Sequence, residues 1–284
     1  MSVHSSVGKN AGPAHVLASD RPVTIHDLAH AKAQGDKFVM VTAYDANAAD
    51  ILDRSGVPVL LVGDSLAMVV LGYDSTVPVT LEEMIHHTRA VRRGTQHALV
   101  VGDLPFGSYQ QGPTQALESA TRMLKEGGAN AVKIEGGQRV VQTTAQLVDA
   151  GIPVMGHLGL TPQSVNQFGG FKVQGRDETA ATQIVEDACA LADAGAFSLV
   201  LECIPAELGQ QVTDAVDIPT IGIGAGPHTD GQVLVWHDLL GLTTGPLPRF
   251  VKPYADLRSV IGDAVKAYQA EVADGEYPGP EHRY

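Results

Sequence analysis

Short, continuously apolar runs recur along the chain, separated by stretches with a helical rhythm. The runs fall at FVMVTA (38–43), PVLLVGD (58–64), ALVVGD (98–103), NAVKIEG (130–136), PVMGHLG (153–159), FSLVLEC (197–203), IPTIGIG (218–224) and VLVWHD (233–238). Runs that are continuous rather than alternating predict strands covered on both faces, as in a parallel sheet. Thr24 and Asp27, and then Thr80 and Glu83, stand at capping-box spacing and open two helices, the second stopping at Gly94. Apolar stripes mark three more helices. Leu117, Ala120 and Leu124 lead to Gly127–Gly128; Ile184, Ala188 and Leu191 follow; Leu257, Ile261, Ala264, Val265, Tyr268 and Val272 form a long final stripe. Eight strands alternating with helices predict an α/β chain folded as a (β/α)8 TIM barrel, with a doubly wound open sheet as the competing arrangement. No Pro/Ser-rich linker divides the chain, so residues 21–284 read as a single barrel domain. Residues 1–20, polar and without pattern, read as a mobile amino-terminal arm.

Composition narrows the partners. A chain of 284 residues with 44% apolar content can bury one large core, and its 31 glycines with only 5% aromatics suit tight strand–helix turns. The formal net charge of −13 argues against nucleic acid or an anionic membrane surface as partner, while leaving room for a small anionic substrate met by local cations. Cys189 and Cys203 fit no metal or redox spacing and read as packed thiols in a reducing cytoplasm. Neither a signal-peptide-like run in the first twenty residues nor a bilayer-length apolar stretch is present, so the expectation is a soluble, cytoplasmic protein.

Polar residues cluster where the predicted strands end, the rim on which barrels build active sites. Asp64 ends the second run, Asp103 the third, His157 the fifth and Glu202 the sixth, with Lys133 and Glu135 late in the fourth. An Asp after a strand also serves as turn or N-cap residue. Here, however, LLVGDS (60–65) and LVVGDL (99–104) are near copies, which sets two carboxylates in matching frames on neighbouring strands. Converging carboxylates repel unless a proton or cation lies between them, and an oxygen-rich set favours magnesium. Lys133 and Glu135, two apart on a strand, share one face while Val132 and Ile134 share the other. The charged pair therefore points into the barrel, either as a structural ion pair or as a substrate cation beside a metal ligand. A Schiff-base role for Lys133 needs a depressed pKa, which neighbouring acids oppose. Glu202, partly desolvated at the end of FSLVLE, suits a base that removes a proton beside a carbonyl, or else caps the next helix. His157 is a substrate ligand or a satisfied structural histidine. His86–His87 reads as solvated helix surface, and GIGAG (222–226) as a tight turn rather than a phosphate loop.

These residues lie in longer motifs: TAYD (42–45), LLVGDSLAMVVLGYDSTVPVT (60–80), DLPFGSY (103–109), AVKIEGG (131–137), GHLGLTPQSVNQFGGFKVQGR (156–176), LECIPAEL (201–208), IPTIGIGAG (218–226) and DGQVLVWHD (230–238). In order and content, from about Thr24 to the carboxyl-terminal tail, the chain resembles the ketopantoate hydroxymethyltransferases. The resemblance implies a barrel of the phosphoenolpyruvate/pyruvate superfamily. It implies hydroxymethyl transfer from 5,10-methylenetetrahydrofolate as cosubstrate to 3-methyl-2-oxobutanoate, through a magnesium-stabilised enolate, on the route to pantothenate and coenzyme A. It places the Mg2+ site at Asp64, Asp103 and Glu135. It sets the oxo acid among Asp64, Ser65, Asp103 and Lys133 and makes Glu202 the proton acceptor. It also implies cytoplasmic homo-oligomers, decamers built from dimers. The KKCGH signature of isocitrate-lyase-type enzymes is absent, which separates the chain from the nearest lyase and mutase relatives.

Overall fold

Eight parallel strands close into a barrel in sequence order: β1 (Phe38–Thr42), β2 (Val59–Val62), β3 (Leu99–Asp103), β4 (Ala131–Glu135), β5 (Val154–Gly159), β6 (Ser198–Glu202), β7 (Thr220–Ile223) and β8 (Gly231–Leu234). The computed structural model describes residues 21–284, so the arm read at residues 1–20 lies outside the described residues. Closure is made by β1 against β8, from Phe38 opposite Gly231 to Val41 opposite Leu234. The eighth strand therefore begins two residues before the apolar run predicted at 233–238 and ends earlier. Trp236–Leu239 is a helical turn instead, started where the Trp236 amide donates to Thr42 Oγ1 at 2.8 Å. Pairing with both neighbours sets this boundary, because Gly231 also stands opposite Ile221.

Strand alternation sorts side chains into two cores. Phe38, Met40, Val59, Leu61, Leu99, Val101, Ala131, Met155, Val200, Ile221 and Val233 fill the barrel. Their neighbours Val41, Leu60, Val62, Val100, Val132, Ile134, Val154, Leu199 and Leu201 face the surrounding helices. Both faces are apolar, which is why the strands read as continuous runs. The helix Ile25–Gln34, opened by the Thr24–Asp27 capping box, lays Leu28 and Ala31 against the interior core at the amino ends of the strands. That end is closed by packing, and the opposite rim carries the polar residues.

The outer helices lie close. A Cβ at Gly102 would come within 2.8 Å of Met123 Sδ, so the helix Pro113–Lys125 rests directly on β3. Among the described residues, β7 and β8 are the one consecutive pair joined without a helix, through residues 224–230. GIGAG turns there with Gly224 and Gly226 at φ 66° and 80°, the tight turn expected of it. The last helix, Leu257–Ala273, buries none of its residues against the rest of the chain, and its stripe of Val260, Ile261, Val265, Tyr268 and Val272 is exposed.

One buried acid ties the outer layer to the barrel. Asp53, in the helix Ala46–Arg54, accepts from the amides of Gln96, His97 and Ala98 at 3.1, 2.9 and 2.7 Å where the chain enters β3. Burial pushes its pKa up, but these three amides, with the His97 ring, outweigh burial and hold it below the usual carboxylate value. A depressed folded-state pKa contributes stability above the ordinary carboxylate pKa and loses it as pH falls towards the folded value. Asp53→Asn should therefore cost about 2 kcal/mol at neutral pH. Denaturant titrations of the two proteins should converge as pH falls below about 4, and a difference independent of pH would refute this.

Candidate active site

The rim of the barrel gathers the sequence-predicted residues from four neighbouring strands. On β3 the inward parity of Leu99 and Val101 continues to Asp103, and on β4 that of Ala131 continues to Lys133 and Glu135. The ion pair predicted for the fourth strand extends across to the third: Lys133 Nζ lies 2.7 Å from Asp103 Oδ1 and 3.8 Å from Glu135 Oε1. Asp64 reaches the same place by another route. Strand β2 stops at Val62, and the turn that follows sets the Asp64 amide 3.0 Å from Asp103 Oδ2. Asp64 thus lies just beyond its strand rather than at its end. His157, expected to end its strand, is instead interior to β5, with Leu158 and Gly159 after it. Its ring spans two acids, with Nδ1 3.2 Å from Glu135 Oε1 and Nε2 3.1 Å from Glu202 Oε2. Ser65 meets Tyr44, hydroxyl to hydroxyl, at 2.8 Å.

So many acids in so little solvent alter one another. Burial pushes Asp64 well above the usual carboxylate range, and the charges of Asp103 and Glu135 push it further. Burial also raises Asp103, although Lys133 beside it pulls the other way. Burial would raise Glu135 too, but His157 and Lys133 hold it low. Burial disfavours the Lys133 ammonium, yet Asp103, Glu135 and Asp64 outweigh this and keep its pKa above the ordinary lysine value. A lysine so held is a cation, not a Schiff-base nucleophile. Burial and Lys133 lower the His157 imidazole, while Glu135 and Glu202 more than compensate and raise it to about 9.

Three further residues hold this arrangement, and none was singled out from the sequence. Gln163 is buried after β5 and uses nearly every polar atom it has. Its Nε2 donates to Asp64 Oδ2 at 2.9 Å and to the Leu104 carbonyl at 3.0 Å, and its backbone amide donates to Glu135 Oε2 at 3.0 Å. Its Oε1 accepts from Tyr109 OH at 2.6 Å, and that hydroxyl accepts in turn from the Glu135 amide at 3.1 Å. Tyr44 backs Ser65, and His87, read as solvated surface, is half-buried with Nδ1 2.7 Å from the Tyr44 carbonyl; His86 is exposed as expected. The only signal in the sequence was position, since all three lie inside the family-like motifs, at TAYD, DLPFGSY and GLTPQS.

Glu202 is the last residue of β6 and is presented by a constrained backbone. Its carbonyl accepts from the Leu160 amide at 2.8 Å, and a Cβ at Gly159 would fall 2.2 Å from that oxygen. Cys203 follows at φ 49°, the one positive φ outside glycine among the described residues, a conformation costing roughly 1–3 kcal/mol. Its thiol is pushed up to about 12 by burial and by the Glu202 charge, which fits the packed, unreactive reading of the cysteines.

The chain is similar to known proteins along nearly its whole described length. The sequence profile of the ketopantoate hydroxymethyltransferase family matches residues 22–280. A 3-methyl-2-oxobutanoate hydroxymethyltransferase of Streptomyces coelicolor is 59% identical over 263 residues, covering 93% of this chain and 90% of the relative. One from Thermobifida fusca is 58% identical, covering 94% of this chain and 95% of the relative. Among solved structures, a 2,3-dimethylmalate lyase described as a member of the PEP mutase/isocitrate lyase superfamily aligns with a TM-score of 0.56 at 19% identity, over 90% of this chain and 89% of that one. Oxaloacetate acetylhydrolase aligns with a TM-score of 0.58 at 12% identity, over 92% and 90% of the two chains, a likeness of fold alone. With acids, lysine and histidine gathered on the carboxyl rim of a closed barrel, and the profile spanning nearly the whole described chain, this protein belongs to the ketopantoate hydroxymethyltransferase family.

Proposed function

We propose that the chain transfers a hydroxymethyl group from 5,10-methylenetetrahydrofolate to 3-methyl-2-oxobutanoate, forming 2-dehydropantoate for pantothenate biosynthesis. The observation that carries the reading is the convergence of Asp64, Asp103, Glu135 and Glu202 on Lys133 and His157, in a chain of this family.

The acids suit a magnesium ion. Asp103 Oδ1 and Glu135 Oε1 are buried without an aligned hydrogen-bond donor, and burial with the charges of Asp103 and Glu135 raises the Asp64 pKa, a strain that a divalent cation would relieve. Among the described residues no three His, Cys, Asp or Glu side chains are arranged to hold an ion unaided. That is compatible with magnesium, which keeps waters and takes one or two carboxylates together with substrate oxygens. Asp64 and Asp103 would hold it, with Glu135 reaching it directly or through water. A bound magnesium would supply Lewis-acid polarisation of the 2-oxo group, acidifying the neighbouring C–H.

The chain's own residues do the rest. Asp64, Ser65 and Asp103 surround the oxo acid, and the buried Lys133 ammonium offsets its negative charge. Glu202 accepts the proton from carbon 3, and the electron pair left there forms the new bond to the one-carbon unit as its two bonds to the folate nitrogens break. Water supplies the hydroxyl, and the nitrogens take up the proton from Glu202 and one from that water, releasing tetrahydrofolate. His157, fixed between Glu135 and Glu202, keeps the Glu202 carboxylate aimed and compensates its charge. Gln163 is a positioning residue that fixes the angle between Asp64 and Glu135. Self-association completes the reading, with a decamer as the family-level expectation, because the exposed stripe of Leu257–Ala273 needs a cover. A cytoplasmic location is the family-level expectation, and no helix among the described residues is long and apolar enough to cross a membrane.

The purified protein should convert 3-methyl-2-oxobutanoate and methylenetetrahydrofolate to 2-dehydropantoate, whereas a barrel that merely binds anions would give ligand binding without product. Glu202→Gln should slow exchange of the carbon 3 proton with deuterium oxide by about a hundredfold or more while the oxo acid still binds, and wild-type exchange in that variant would remove Glu202 as the base. Gln163→Leu should weaken magnesium binding, read by calorimetric titration, by roughly tenfold or more; an unchanged titration would deny Gln163 its positioning role. Light scattering on the purified chain should show a multimer, and a fully active monomer would contradict the assembly.

A further inference from the structure

The mouth of the barrel is divided in its chemistry. Strands β3 to β6 bring Asp103, Lys133, Glu135, His157 and Glu202 to it, whereas β7 (TIGI) and β8 (GQVL) carry no charged side chain. Glu202 stands at the boundary between the two halves. The strand register sets Gly159 of β5 opposite Glu202 on one side and Ile223 of β7 opposite it on the other. Since Gly159 has no side chain, Ile223 is what the neighbouring strands place level with the Glu202 carboxylate.

Ile223 faces the interior. Alternation along β7 turns Ile221 into the barrel, and Ile223, two residues on, packs against the same interior core. The two differ in exposure: Ile221 is fully buried, while Ile223, the last residue of its strand, is half-buried and borders the open mouth. The His157 ring on the other flank already spans Glu135 and Glu202, so the apolar flank of Glu202 is the Ile223 side. The proposed substrate is divided in the same way. Its anionic 2-oxo head suits the charged half, and its two methyl groups sit on carbon 3, the carbon whose proton Glu202 takes. Neighbouring strands run about 4.8 Å apart, so groups attached to a carbon that meets Glu202 also meet Ile223.

We propose that Ile223 is a specificity-determining residue of this enzyme: its side chain is the wall against which the alkyl branch on carbon 3 rests while Glu202 takes the proton. The inference rests on the reaction proposed above, from which it takes the substrate and the base. Withdrawing the methyl groups from water against Ile223 favours a branched oxo acid over an unbranched one. The same side chain limits the length of the branch, because an added methylene has to displace it from a packed barrel. With the head on the charged half and the branch on Ile223, carbon 3 is left beside Glu202.

Exchange of the carbon 3 proton in deuterium oxide, with magnesium present, tests the assignment without the folate, because Glu202 takes a proton and returns a deuteron. The full chain is given 3-methyl-2-oxobutanoate and 3-methyl-2-oxopentanoate, one methylene longer, in competition. The ratio of the two exchange rates is then independent of how much of the sample is folded. Ile223→Val, which removes one methylene from the wall, should shift that ratio about tenfold towards the longer acid. Ile221→Val, the same change one layer deeper, should leave the ratio at its wild-type value. An unmoved ratio in Ile223→Val, or an equal shift in Ile221→Val, would deny Ile223 this role and leave the reaction standing. Absence of exchange on either acid in the wild-type protein would overturn the reaction itself, and the assignment with it.

Discussion

The compensation of buried carboxylates by one lysine and one imidazole is the constraint on which the rest of this structure turns. Asp64, Asp103 and Glu135 are almost wholly withdrawn from water, and Glu202 is only partly exposed. Uncompensated, each such charge would cost several kcal/mol. Lys133 between Asp103 and Glu135, and His157 between Glu135 and Glu202, make the cluster tolerable without saturating it. What remains is an excess of negative charge and unaligned oxygens at the rim, the feature on which the proposed cation site rests.

Tolerating such a cluster demands rigidity, and the barrel supplies it. Asp103, Glu135 and Glu202 are carried on strands packed on the barrel and helix sides, and Asp64 on the turn just after one, so their carboxylates cannot swing apart to relieve repulsion. Gln163 and Tyr109 brace them from the loop side, linking the turn after β2, the end of β4 and the segment after β5. The left-handed Cys203 and the close approach at Gly159 show backbone strain concentrated where Glu202 is presented. The same braces, with Glu135, form part of the wall of a neighbouring cleft on the rim.

Much of this was legible in the chain before folding. Continuous apolar runs announced strands buried on both sides, and the two-residue period on β4 fixed Lys133 and Glu135 inward with Val132 and Ile134 outward, because side-chain direction along a strand is a local property. The paired Gly-Asp frames announced two carboxylates at the ends of adjacent strands, but only Asp103 lies within its strand and shares its inward parity. Boundaries were less legible. The eighth strand shifted towards Gly231 because its ends answer to two neighbours' hydrogen-bond ladders, not to its own hydrophobicity.

Only tertiary structure decided the rest. Counted along its strand, Asp64 would point outward with Leu60 and Val62; a turn stabilised by Asp103, 39 positions away, brings it to the site instead. The Gln163 side chain spans 99 positions to Asp64, and a neutral amide carries no pattern that periodicity could reveal. His157 was ambiguous for the same cause, since its partners lie on β4 and β6. The sequence by itself thus determined which faces are apolar and which acids end up on the rim. The charge state of those acids, their bracing and the neighbouring cleft come from contacts between distant segments, because electrostatic energy and hydrogen-bond geometry depend on separation in space.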